Sequence, residues 1–211
     1  VGSSNGTFSE SSNGRDQGVD QIVPVEKVGH EYIFVRTAGN NTFENVILVA
    51  DRDNTEIYLN DEGTVHETLN AGDFVIIEGD NYSSEGIGAN MYVRSQGDTH
   101  PVFAYQGVGI EGSGAAVNAN QGMFFVTTLN CSSKGDVDNI ALIDKIGNRT
   151  FEGAVSFITK KNATILINGN PIESFGGVSG PLEVTGNENY VTYIVKELTG
   201  KIAVTGSDEL Y

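Results

Sequence analysis

The chain predicts an all-β protein, a predominantly antiparallel β-sandwich built from two related tandem units. Three observations carry this expectation. Apolar residues fall in runs of about five, rich in Val, Ile, Tyr, Phe and Thr, and clusters of Gly, Asn, Asp and Ser separate them, which is the punctuation of strands and turns. No window sustains the helical i, i+3, i+4, i+7 stripe over three turns, and a spacing of roughly 8–12 residues between runs suits a sandwich better than βαβ units. Finally, short segments recur in the same order along the chain.

Taken from the start, residues 1–18 (VGSSNGTFSESSNGRDQG) set few apolar side chains among Ser, Gly and Asn. Such a composition buries too little to offset its ordering entropy, so it reads as a flexible arm or linker. Strands are then expected at Tyr32–Thr37, Val46–Ala50, Thr55–Leu59, Val65–Leu69, Phe74–Glu78, Met91–Arg94 and Val102–Gln106. A second set follows at Phe124–Thr128, Ile140–Ile143, Ala154–Thr159, Thr164–Ile167, Leu182–Val184, Tyr190–Glu197 and Lys201–Thr205. Val46–Ala50 and Phe74–Ile77 are apolar throughout, as in strands covered on both faces. Thr55-Glu-Ile-Tyr-Leu59 alternates, as in a strand with one wet face. The absence of an initiator Met and of a signal segment, and the strand just begun at Lys201–Thr205, suggest an excised piece of a longer chain.

The internal matches run as follows. Ile33-Phe-Val-Arg-Thr37 resembles Phe124-Phe-Val-Thr-Thr128, and Asn54-Thr-Glu-Ile-Tyr-Leu-Asn60 resembles Asn162-Ala-Thr-Ile-Leu-Ile-Asn168. Met91-Tyr-Val-Arg94 then answers Tyr193-Ile-Val-Lys196, and Val102-Phe-Ala-Tyr105 answers Ile202-Ala-Val-Thr205. Constant order with loops of varying length reads as a duplicated β unit. The expected organisation is an arm at 1–18, one unit at 19–106, a connecting segment at 107–122 and a related unit at 123–211, packed separately or as one domain. The scaffold strands agree while the loops diverge, with a long loop Gly79–Asn90 in the first unit and an extra segment between Ile143 and Asn162 in the second. Loops are where such a fold usually carries its binding surface.

Charge and motifs exclude several functions. Lys and Arg number 12 against 28 Asp and Glu, a formal charge of −16, which leaves no basic footprint for a nucleic acid. The only cysteine, Cys131, closes no internal disulfide and forms no CxxC motif, and it has no evident base beside it. No apolar run approaches the roughly 18 residues of a membrane helix, so no insertion is expected. No GxSxG elbow, phosphate-cradling loop or HExxH is present, and Gly107-Val-Gly-Ile-Glu-Gly112 lacks the strand-then-helix context of a dinucleotide site. His30, His66 and His100 are not spaced as zinc ligands.

Two carboxylate pairs stand out. Asp51-Arg-Asp53-Asn54 and Asp136-Val-Asp138-Asn139 place oxygens at i, i+2 and i+3, the donors that Ca²⁺ prefers, although the same residues are also common in solvated turns. For a ligand, the long loop offers Asp80, Asn81, Tyr82, Glu85 and Asn90, with Tyr82 the expected exposed aromatic and the others its polar partners. Tyr92 and Tyr105 are expected on sheet faces, and Asn40, Asn81, Asn130, Asn148 and Asn162 open N-glycosylation triplets.

At Asp20-Gln-Ile-Val-Pro-Val-Glu-Lys-Val-Gly-His-Glu-Tyr-Ile-Phe-Val-Arg36, Ala50-Asp-Arg-Asp-Asn-Thr55, Thr68-Leu-Asn-Ala-Gly-Asp73 and Pro101-Val-Phe-Ala-Tyr105 the chain resembles the IgGFc-binding protein N-terminal domain family. The resemblance is clearest over Asp20–Gln106 and implies a secreted or cell-surface module with an adhesive role. With one cysteine, the chain is more similar to bacterial surface versions than to cysteine-rich animal ones. The resemblance supplies no catalytic residues. The expected function is therefore non-enzymatic extracellular binding of a glycan or surface glycoprotein, with Ca²⁺ as a stabilising ion. A structural spacer and a polysaccharide-degrading enzyme are the alternatives.

Overall fold

The computed structural model describes residues 2–3, 18–19, 23–39, 41, 44–109, 121–129 and 137–211. It is all-β and antiparallel throughout, and among the described residues the only helical elements are 3-10 turns at Val25–Lys27, Gly79–Asn81 and Ile172–Ser174. The chain divides into two compact units, Val1–Cys131 and Ser132–Tyr211.

The first unit opens with a short pair, β1 (Gly2–Ser3) and β2 (Gly18–Val19). It continues through β3 (Glu31–Val35), β4 (Val46–Ala50), β5 (Thr55–Leu59), β6 (Glu67–Leu69), β7 (Phe74–Ile77), β8 (Asn90–Ser95), β9 (Val102–Gly109) and β10 (Gln121–Phe125). Two four-stranded sheets result, ordered β3-β8-β5-β6 and β10-β9-β4-β7. Both feed one core. Tyr32, Phe34, Ile57, Leu59, Met91 and Val93 of the first sheet join Val46, Leu48, Ile77, Val102 and Ala104 of the second. The period of two explains the sorting: in β5, Thr55, Ile57 and Leu59 are buried while Glu56 and Tyr58 are half-exposed. The expectation that Val46–Ala50 and Phe74–Ile77 are covered on both faces needs correction. Ile47 and Val49 are only half-buried, and β7 is the edge of its sheet with Phe74 62% exposed.

The second unit contains β11 (Val137–Ile140), β12 (Lys145–Ile146), β13 (Arg149–Thr150), β14 (Gly153–Lys160), β15 (Ile165–Ile167), β16 (Asn170–Pro171), β17 (Val178–Glu183), β18 (Tyr190–Leu198) and β19 (Ile202–Gly206). Its sheets are β11-β19-β15-β16 and β14-β18-β17, and β12 with β13 makes a separate hairpin in the extra segment. Phe157, Ile165, Ile167, Val191, Tyr193, Val195, Ile202 and Val204 form its core.

One of the four internal matches marks equivalent places. Asn60 and Asn168 both close their strands at positive φ, 47° and 51°, a conformation Asn tolerates better than most residues. Each then uses its amide alike: Asn60 N donates to Tyr92 O at 2.8 Å and Asn60 Oδ1 accepts Tyr92 N at 3.1 Å. Asn168 N donates to Ala203 O and Asn168 Oδ1 accepts Ala203 N, both at 2.8 Å. The other three matches occupy inequivalent strands. β8 lies beside β5 but its match β18 lies beside β14, and β9 lies beside β4 but its match β19 lies beside β15. The last two strands therefore exchange sheets between the units. Phe124–Thr128 does not open the second unit either, since β10 pairs with β9 and Leu129 N donates to Glu31 O at 2.9 Å. Of the expected connecting segment, 107–109 and 121–122 are strand and 110–120 lie outside the described residues.

Candidate functional site

The long loop of the first unit is a structural clasp. Arg36, at the end of β3 and 4% exposed, sends Nη1 to Asn41 Oδ1 at 2.7 Å and Gly79 O at 2.8 Å, and Nη2 to Gly39 O at 3.0 Å. Glu44 is fully buried, and its carboxylate accepts Thr37 N at 3.0 Å, Gly39 N at 2.8 Å and the Thr37 hydroxyl. Tyr82 packs over this network with the Arg36 guanidinium 6.0 Å from its ring centre, and burial pushes its hydroxyl pKa far up.

Tyr82 is thus a core residue, 5% exposed, and corrects the expectation of a surface aromatic. Asn90 is likewise buried on β8, where Ser83 N donates to Asn90 O at 2.9 Å and Asn90 N to Ser83 Oγ at 3.2 Å, closing the loop on itself. Asn81 is half-buried and spends its amide on Glu78 O and Asp80 Oδ1, both at 3.0 Å. Of the five, only Asp80 and Glu85 stand exposed. The signal that misleads is composition, since a Gly- and Ser-rich loop resembles solvent-facing chain whether or not it covers buried charges.

The Asp51–Asn54 turn joins β4 to β5. Asp51 pairs with Arg52 Nε at 2.9 Å, Asp53 Oδ1 accepts Ala71 N at 3.0 Å, and Asn54 sits at φ 57° with its carbonyl accepting Gln96 Nε2 at 2.7 Å. The two carboxylates serve separate partners. Asp136 lies outside the described residues, and Asp138 and Asn139 are placed on β11 by backbone alone. Among the described residues no three His, Cys, Asp or Glu side chains gather as a metal-ligand group. Tyr92 is buried and Tyr105 half-buried, edge-on to Phe125 at 5.9 Å, as expected of sheet residues.

The turn instead props up a feature that sequence reasoning missed. Through Asp53 it holds the β6–β7 connection, and that connection bounds a depression of about 420 Å³ lined by Glu67, Thr68, Leu69, Asp73, Phe74 and Val75. Phe74 is the most exposed aromatic side chain among the described residues. Asp73 Oδ2 accepts Asn70 N at 3.0 Å, and Ala50 N donates to Asp73 O at 3.0 Å, so the Asp73-Phe74 step is anchored on both sides. Phe74 thus shares the lining of this depression with Glu67, Thr68 and Asp73. The arrangement offers stacking and hydrogen bonding to a partly polar ligand and no activated nucleophile.

The family profile described as IgGFc binding protein matches residues 1–209. The chain belongs to the IgGFc-binding protein family. Searches of curated proteins and of solved structures returned no match. This is a family of binding domains rather than of enzymes. No helix among the described residues is long and apolar enough to cross a membrane.

This family member carries a second depression, in its second unit, of about 400 Å³ with Lys160, Lys161, Asn162, Glu188, Asn189 and Asp208 in its lining. Lys160 Nζ lies 4.0 Å over the Tyr190 ring and 2.8 Å from its hydroxyl, which donates to Glu209 at 2.7 Å. Lys161 meets Glu183 at 2.6 Å, and this pairing raises the lysine pKa and lowers that of the carboxyl. Both lysines are already partnered, and Tyr190 is buried, so this depression presents no aromatic face.

Proposed function

We propose that the chain is a non-enzymatic, extracellular adhesion module of a secreted or cell-surface protein, and that it holds a glycan or surface glycoprotein on the depression beside Phe74. The observation that carries this reading is the 62% exposure of Phe74 in a depression shared with Glu67, Thr68 and Asp73. A sugar ring presents C–H groups on one face and hydroxyls around its rim. The aromatic ring takes the first and the carboxylates and Thr68 hydroxyl take the second. The anchored backbone on either side of Phe74 means little ordering entropy is lost on binding.

The family description names an antibody fragment, so immunoglobulin Fc belongs on the same array as glycans and mucins. Wild type should give discrete positive spots that Phe74→Ala reduces about tenfold or more, the loss expected for a central aromatic contact. The variant should melt as the wild type does, because Phe74 lies outside the core. A blank array at all salt and Ca²⁺ conditions favours the spacer reading. Release of reducing ends from a polysaccharide, lost on replacing Glu67 or Asp73, would make the site catalytic.

A further inference from the structure

In the first unit β7 pairs with β4 on one side only, and no strand lies on its other side among the described residues. Asp51 N donates to Pro101 O at 3.2 Å and Gly107 N to Asn45 O at 2.8 Å, so the odd-numbered residues of β4 turn their backbone groups to β9. Val46, Leu48 and Ala50 turn theirs to β7, as the bond from Ala50 N to Asp73 O at 3.0 Å shows. With Val46 opposite Ile77 and Leu48 opposite Val75, that ladder engages Val75 and Ile77 and points the N–H and C=O of Phe74 and Ile76 away from β4. The edge is open to solvent: Phe74 is 62% exposed, and Val75 and Ile76 are half-buried.

This edge also lacks the usual protection. Between Asp73 and Glu78 there is no charge and no proline, and the register with β4 runs unbroken. The neighbouring edge strand β6 differs, because Thr68 N donates to Glu67 Oε1 at 3.2 Å and so has an acceptor of its own. The two edges border one depression, lined by Glu67, Thr68 and Leu69 of β6 and by Phe74 and Val75 of β7.

We propose that the outer edge of β7 takes an extended segment of a partner protein as an added strand, hydrogen-bonded through Phe74 and Ile76. The inference rests on the reading that the depression beside Phe74 is the binding site, and it names what the polypeptide of a glycoprotein presents there. Alternation and charge choose the occupant. An added strand sets alternate side chains on the two faces of its sheet, one set beside Phe74 and Ile76 and the other beside Val75, which shares its lining with Glu67 and Asp73. No Lys, Arg or His among the described residues lines that depression, and the chain carries a formal charge of −16. A segment that alternates apolar and basic side chains therefore suits both faces. A second copy of this chain would bring Asp73 and Glu78 of its own β7 against like charges.

The test uses the whole chain and a peptide Lys-Val-Lys-Val-Lys-Val-Lys, acetylated and amidated at its ends. Amide exchange by NMR should be fast at Phe74 and Ile76 and slow at Val75 and Ile77 in the chain alone. Adding the peptide should slow Phe74 and Ile76 saturably, and a peptide with Glu in place of Lys should not. Ile76→Pro removes an outward N–H and should weaken binding about tenfold, the loss of a hydrogen bond. Ile76→Lys deletes no backbone hydrogen bond, sets a like charge against the peptide and should weaken it likewise; it decides the matter where Ile76→Pro speeds exchange at Val75. Equal binding of the Glu peptide, absence of saturable protection, unchanged affinity in the deciding variant, or an Ile76 amide already slow without peptide would each overturn the assignment. Array spots lost in Phe74→Ala without any protection by the peptide overturn strand addition and leave the glycan reading standing. Protection of Phe74 and Ile76 with a blank array upholds strand addition and overturns the glycan reading.

Discussion

Removing the Glu44 carboxylate should cost the first unit a large share of its stability. The side chain is fully buried and accepts two backbone N–H groups and one hydroxyl, from Thr37 and Gly39. Glu44→Ala strands those donors, and each buried unsatisfied donor costs about 1–3 kcal/mol, less where water enters the space left behind. Three donors lose their acceptor and water entering the space recovers part of the loss, so about 3–5 kcal/mol is expected. For a unit of this size each kcal/mol moves the melting temperature by about 3–4 °C, hence roughly 10–20 °C in all. Thermal melts and urea titrations of wild type, Glu44→Ala and Glu44→Gln measure it. The Gln variant keeps one acceptor and should fall between the others. A loss in Glu44→Ala under about 1 kcal/mol would mean that water satisfies Thr37 and Gly39 and that the clasp does not hold the loop.

Two further predictions concern pH and cations. Tyr32 accepts Gly29 N at 2.8 Å and donates to Val102 O at 2.6 Å, and burial raises its pKa from 10.0 to about 12. The folded state therefore favours the neutral phenol: this contribution, about 2–3 kcal/mol, is complete below pH 10 and is lost as pH rises from about 10 through 12. Urea midpoints across that window should fall steeply in wild type and less in Tyr32→Phe; parallel curves would refute the assignment. For Ca²⁺, the separate engagement of Asp51 and Asp53 predicts that Ca²⁺ and NaCl at matched ionic strength shift the melting temperature equally. A shift specific to Ca²⁺ and abolished by Asp51→Asn would return that turn to the cation sites.

What the sequence discloses is what neighbouring residues decide among themselves. Alternation in Thr55–Leu59 and the closing Asn60 are local matters, and the same local need at Asn168 makes that internal match structurally true. Which strand lies beside which is not local. Met91–Val93 and Tyr193–Val195 are buried residue after residue, a pattern that suits a central strand of either sheet, so their likeness is silent about the exchange that puts one beside β5 and the other beside β14. The same ambiguity hid the candidate site. Phe74-Val-Ile-Ile77 is as apolar as a central strand, and only its position at the edge, beyond β4, leaves Phe74 in the open. Tyr82 errs the other way, because a loop spelled in Gly and Ser says nothing of the arginine from another strand that draws the ring inward. Exposure of an aromatic side chain is a property of its neighbours across the sheet, and in this chain those neighbours are distant in sequence. The Asp51–Asn54 turn stood out for its carboxylates. The hydrogen bond from Ala71 N to Asp53 ties it to the β6–β7 connection that leads into Phe74, so replacing Asp53 should disturb the depression beside Phe74 with or without an ion at that turn.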